Sequence, residues 1–252
     1  MFNQRTGPLA HTPNVVKNLV IINALFFLVD HLGNGVFLGQ DMSALFGLHY
    51  ISSPEFRPWQ LVTHLFMHGG FWHLLMNMFG LFMLGSPLEY RWGSQRFLLY
   101  YGICGIGAGI LYMAVQGFDY AGLVAQLEPR DVATVKLQGT EALNNLRMGG
   151  EGFGDDVMNR LALLLFTDLV GASGALFGVM AAFGILYPNV ELMIFPLPIP
   201  IKAKFLITAY AAYELYSGLN QQPGDNVAHF AHIGGLVVGI ITILIWRKRL
   251  HT

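Results

Sequence analysis

The chain has 252 residues, 54% of them hydrophobic and 12% charged, with a mean hydropathy of +0.51 and a net charge of −1. Water-soluble domains carry roughly 25% charged residues, so the composition excludes an ordinary soluble domain and points to an all-α, multi-pass membrane protein whose first partner is the lipid bilayer. The near-neutral charge offers no surface for nucleic acid, and the single Cys104 excludes an intrachain disulfide or a cysteine-based zinc site.

Residues 1–13 are polar with two prolines and read as a short flexible lead. The first apolar run, about 14–36, lacks a basic n-region and an Ala-x-Ala site, so it is expected to be a retained signal anchor. A long connection over 38–63 contains Trp59, a candidate interfacial anchor. The second span is predicted over Leu65 to Leu84, and Gly93-Ser94 breaks the chain before a third over Arg96 to Val115. Residues 117–168 hold eight of the 15 acids and four of the 14 basic residues. This segment reads as a water-exposed, extracytoplasmic insertion with a surface helix over 124–146, and Leu161 to Phe166 returns to the membrane.

The fourth span is short, Ser173 to Tyr187, and rises only ~21 Å against a hydrocarbon core of ~30 Å. Pro196, Pro198 and Pro200 keep the following stretch extended. A fifth span is predicted over Ala203 to Leu219 and a sixth over Val227 to Trp246. Nine of the 14 basic residues then fall on one face, which predicts that both termini are cytoplasmic. Spans two, four and six run from the outside inward, so their N-terminal ends share one depth in the outer leaflet.

Three clusters occupy those ends. Gly171-Ala172-Ser173-Gly174 opens span four, His73 and Asn77 lie four apart on span two, and Ala231-His232-Ile233-Gly234-Gly235 opens span six. Ser173 alone is either packing filler or a nucleophile, because Gly-x-Ser-Gly arises by chance in glycine-rich membrane helices. A serine needs a base to take its proton, and His232 is the candidate. Gly174 and Gly178, like Gly235 and Gly239, are spaced so that the two helices can pack closely just past the two residues. No acid lies within a turn of His232, and Asp225 reads as solvated, so a Ser–His dyad is expected and not a triad. The free N–H of Ser173 at its helix start, with His73 and Asn77 on one face, supplies donors for an oxyanion.

These clusters, in this order, resemble those of the rhomboid family of intramembrane serine proteases, as do the histidines from His64 and His68 to His73 and the turn Glu89-Tyr90-Arg91-Trp92-Gly93-Ser94. The resemblance covers spans two to six. It implies a single membrane domain over 1–252, built as a six-helix bundle with a water-filled cavity open to the outside. In it Ser173 is the nucleophile, His232 the base, and His73 and Asn77 the oxyanion donors. Phe177 stands where the family sets an aromatic ring, often Tyr, against the catalytic histidine. Trp59-Gln60 replaces the family's frequent Trp-Arg, a departure that touches how the first loop is anchored. Substrates implied are single-span membrane proteins, entering between helices two and five, with Glu214 expected to line that passage. A bacterial plasma membrane suits the small size. No cofactor or metal is expected, and the sequence sets no oligomeric state.

A metal protein or transporter is the rival reading, since His64/His68 and His229/His232 have usable ligand spacings. No acid or cysteine joins them along the chain. A non-catalytic relative that only binds membrane segments would lack Ser173 or His232, and both are present.

Overall fold

Residues 174–183 are buried without exception in the helix α9, Ser173–Leu186. A helix apolar on every face has no side to offer water and belongs at the centre of its fold. The computed structural model describes residues 12–194, 197–220 and 228–249, and in it α9 is flanked by α6, Ser94–Val124, and α11, His229–Arg249. The remaining helices are α1, Asn14–Leu32; α2, Met42–Phe46; α3, Gln60–Thr63; α4, Phe71–Gly80; α5, Ser86–Trp92; α7, Pro129–Arg147; α8, Asp156–Phe166; and α10, Ala203–Leu219.

Glycines make the central contact. A methyl at Gly235 of α11 would run into the carbonyl of Gly174 on α9, and one at Gly239 would sit 2.7 Å from the Cα of Gly178. On its other side, Gly174 meets Ala108 and Gly178 meets Cys104, both on α6. Backbone therefore lies on backbone, which side-chain-bearing residues could not allow. The Tyr100 hydroxyl of α6 donates to the Gly178 carbonyl at 2.8 Å and closes this end of the three-helix core.

The second span is displaced from its predicted place. Residues 64–66 form a single 3-10 turn, the chain breaks at 67–70, and the membrane rod runs over Phe71–Trp92. It passes through a π-helical turn, Leu81–Gly85, into α5. Pro87, which has no N–H to give to the preceding turn, follows directly on this π-helical turn. Glu89, an acid only 2% exposed, is satisfied at once: its carboxyl oxygens accept from the N–H groups of Val15 and Val16 at 2.9 and 2.8 Å and from the Ser94 hydroxyl at 2.6 Å. The start of α1, whose N-cap Pro13 makes no side-chain cap bond, is thus capped from another helix.

Among the described residues, four helices are long and apolar enough to cross a membrane, at Asn14–Leu32, Phe71–Trp92, Ser94–Val124 and His229–Trp246, and Ser173–Leu186 is a shorter apolar one. The third is longer than predicted, because α6 continues without a break through 116–124. Two short hairpins join helices of this all-α fold: β1, Val36–Phe37, pairs with β2, Gln40–Asp41, and β3, Glu191–Ile194, pairs with β4, Leu197–Lys202. Of the proline-rich stretch, residues 197–200 are extended, as read, and lie in one strand of a hairpin; Pro196 lies outside the described residues. The polar lead lies outside the described residues, apart from 12 and 13.

The segment 117–168 builds its own small core. Val135 and Leu143 of α7 meet Leu161, Ala162 and Leu165 of α8, together with Tyr50 and Leu123. Leu161 to Phe166 is accordingly the second half of an amphipathic helix packed on α7, capped at its start by Asp155, whose side chain accepts from the Met158 N–H at 2.9 Å.

Candidate active site

The first loop is tied directly to the segment that carries Ser173. Leu48 and Leu169 exchange two backbone hydrogen bonds of 2.9 Å, and the Gly171 N–H donates to the His64 carbonyl at 2.9 Å. The loop itself is held by Gln60, which is fully buried. Its amide N–H groups donate to the carbonyls of Ala44 and Glu55 at 2.9 and 3.0 Å, and its oxygen accepts from the His49 and Arg57 N–H groups at 3.3 and 3.1 Å. Trp59 Nε1 donates to the Leu45 carbonyl at 2.9 Å. Glutamine at 60 is therefore an anchor in its own right. The Arg57 guanidinium donates locally, to the carbonyls of Pro54 and Phe56.

Gly171 turns the chain into α9 with φ +123°, a conformation that L side chains rarely adopt. A methyl there would sit 2.7 Å from His73 Nε2 and 3.5 Å from Ser173 Oγ. Imidazole and hydroxyl thus border one small space that glycine keeps open. Ser173 is the first residue of α9, where backbone N–H groups lack helical partners. Across the Gly174–Gly235 contact, Ser173 Oγ lies 2.8 Å from His232 Nε2. Phe177 stacks on His232, with ring centroids 4.4 Å apart and planes 8° from parallel.

His73 and Asn77 share one side of α4 and make different contacts. His73 reaches toward Gly171 and packs edge-on against His68, centroids 5.0 Å apart. Asn77 is buried and donates its amide to the His73 carbonyl at 3.0 Å, within its own helix.

The largest departure from the sequence reading is Glu214. It does not line a passage; it is 2% exposed, and its Oε2 lies 2.9 Å from His232 Nδ1 and 2.6 Å from His229 Nδ1. An acid therefore stands behind the histidine, supplied by α10 and not by the neighbourhood of His232 in the chain. Asp225 lies outside the described residues. The signals for Glu214 are a carboxylate inside a predicted membrane span and a second histidine at i, i+3 from His232. A carboxylate can only accept from a neutral imidazole, so this contact puts the His232 proton on Nδ1 and leaves the Nε2 lone pair facing Ser173. Hydroxyl, imidazole and carboxylate form an unbroken line across α9, α11 and α10.

A cavity of about 300 Å³ borders Gln40, Asp41, Ala44, Leu45, Glu55 and Arg57, outside this line.

Residues 55–249 match the model of the Rhomboid domain. An uncharacterised mitochondrial rhomboid protein of Schizosaccharomyces pombe is 27% identical over 235 residues, covering 82% of this chain and 55% of that protein. Rhomboid protein 1, mitochondrial, of Saccharomyces cerevisiae is 26% identical over 232 residues, covering 92% and 53%. The putative rhomboid protease YdcA of Bacillus subtilis is 32% identical over 107 residues, covering 42% and 52%. The chain spans about half the length of these relatives.

Proposed function

The chain belongs to the rhomboid family, and from that premise we propose that it is an intramembrane serine endopeptidase that hydrolyses peptide bonds in or beside the transmembrane segments of other membrane proteins. The observation that carries the reading is the 2.8 Å approach of Ser173 Oγ to His232 Nε2. In this reading His232 takes the Ser173 proton as the oxygen attacks the scissile carbonyl, then delivers it to the leaving amine. The Ser173 N–H and His73 stabilise the oxyanion, with Asn77 beside them. Glu214 holds the imidazole in its tautomer and offsets the charge it gains, which extends the dyad read from the sequence to a Ser–His–Glu arrangement. Water for hydrolysis enters by a cavity open to the extracytoplasmic side.

The substrate must unwind before it is cut, because a regular helix hides its carbonyls in hydrogen bonds. Segments weakened by Gly, Pro or Ser are preferred for that reason. Entry is placed between α4 and α10 in a six-span arrangement with both termini cytoplasmic. Two of the relatives named above are mitochondrial by name and one is from a bacterium, so the function is assigned to a bilayer and not to the bacterial plasma membrane in particular.

The test is labelling of the purified protein with a fluorophosphonate. Native protein takes up the probe and Ser173→Ala does not; equal labelling of both, or none of the native protein, ends the proposal.

A further inference from the structure

Oε2 of Glu214, Nδ1 of His229 and Nδ1 of His232 converge from two helices, and a donor atom from each residue lies within 4.8 Å of the others. We propose that this cluster is a binding site for a borderline divalent cation of the zinc and cobalt class, and that loading it switches off the base. The inference rests on the serine protease reading above and names a regulator for the same site.

Two imidazoles and one carboxylate are a donor set suited to zinc, leaving a fourth position for water. Nitrogen donors favour such ions over magnesium or calcium, which prefer oxygen. Around a tetrahedral ion with bonds of ~2.0–2.1 Å, neighbouring donors stand about 3.3 Å apart. The present N···O separations of 2.6 and 2.9 Å therefore need to open by about 0.7 and 0.4 Å. Glu214 is 2% exposed and His229 4% exposed, so little water competes for the carboxylate, and the low dielectric strengthens its attraction for a cation. Phe177 already fixes the plane of the His232 ring.

The switch follows from proton placement. While Oε2 accepts from the His232 Nδ1–H, the lone pair on Nε2 is free to receive the Ser173 proton. An ion takes the Nδ1 lone pair instead, and the ring's single proton moves to Nε2 with no net change in proton count. Nε2 then faces Ser173 as a donor, so the hydroxyl keeps its proton and is no longer activated. His229 undergoes the same tautomer change beside it.

The experiment uses the full-length protein in detergent with Co2+ as the probe, read by the intense visible bands of a four- or five-coordinate ion. Native protein and Ser173→Ala should both bind one equivalent, while Glu214→Gln and His229→Gln should each weaken binding at least about tenfold. Loading with Zn2+ should cut fluorophosphonate labelling of the native protein at least tenfold, and chelation should restore it. No such spectrum from native protein and Ser173→Ala, or equal affinity in His229→Gln, overturns the site. A bound ion that leaves labelling unchanged overturns the switch. A spectrum from a native protein that never labels, with or without metal, overturns the protease reading and the switch with it, while the site stands.

Discussion

Phe177 lies flat against His232, one turn below Ser173 on the same helix that supplies the hydroxyl. The stack sets the direction of the imidazole edge, so hydroxyl and base are aligned by two contacts from a single helix. Replacing Phe177 with Leu removes the ring and keeps most of the apolar volume. A stacking contribution of about 0.5–1.5 kcal/mol corresponds to a roughly 2- to 12-fold loss, expected in kcat more than in KM. Phe177→Tyr keeps the stack and should stay near native. Steady-state cleavage of a membrane substrate checks both.

Glu214→Gln should lower kcat by at least about 100-fold with little change in KM, because an amide no longer enforces the tautomer that leaves Nε2 unprotonated. Glu214→Ala adds a structural penalty. It strands the Nδ1 groups of His229 and His232 in a buried place, at about 1–3 kcal/mol each. Thermal unfolding in detergent should separate the variants, with Ala melting well below Gln. Similar kcat values for native protein and Glu214→Gln would remove Glu214 from the mechanism.

Gly171→Ala should abolish measurable cleavage. The added methyl meets His73 Nε2 at 2.7 Å in a backbone conformation alanine rarely adopts. Gly235→Ala acts differently, by forcing α11 off the Gly174 carbonyl, and should lower Tm along with activity. Fluorophosphonate labelling and Tm, measured on both variants, distinguish damage to the site from damage to the core.

His49 and Glu55 give a pH-dependent prediction outside the membrane spans. Their side chains meet at 3.2 Å. Burial pushes His49 down, but the bond to Glu55, helped by nearby Asp168, outweighs it and holds the imidazole above its ordinary 6.5. The same bond, against burial, holds Glu55 below its ordinary 4.5. The histidine contribution is complete below about pH 6.5 and is lost as pH rises through the raised folded value; the Glu55 contribution is complete above about pH 4.5 and fades as pH falls through the lowered one. The Tm deficit of His49→Gln should therefore be largest at about pH 5–6 and shrink above neutrality. A deficit independent of pH would show that packing, not charge, holds this loop.

What was legible in the sequence was what repeats along it. The apolar run from Ser173 to Tyr187 matches α9, and the run from Ala203 to Leu219 is α10, because hydrophobicity is a local property of the chain. The bounds of the second span differ from those predicted because Leu65 and Phe66 look like membrane residues, while Gly69-Gly70 makes the real break. At the other end Glu89 looks like a terminus until Val15 and Val16 supply its donors. The pairing of β3 with β4 was hidden because alternating prolines predict extension and say nothing of a partner. Glu214 was misplaced for a related reason. It is 18 residues from His232 in the chain, and only the packing of α10 on α11 brings them to 2.9 Å.

The carboxylate of Glu89 lies within the stretch that matches the family model, whereas the helix it caps, Asn14–Leu32, lies before that stretch begins. Detaching the N-terminal rod would therefore leave a negative charge inside the remaining body with the Ser94 hydroxyl still beside it and two amide donors gone. A shortened version starting just after this helix, with the first loop kept, should consequently need a neutral replacement at position 89, such as Glu89→Gln, to recover the solubility of the intact chain in detergent.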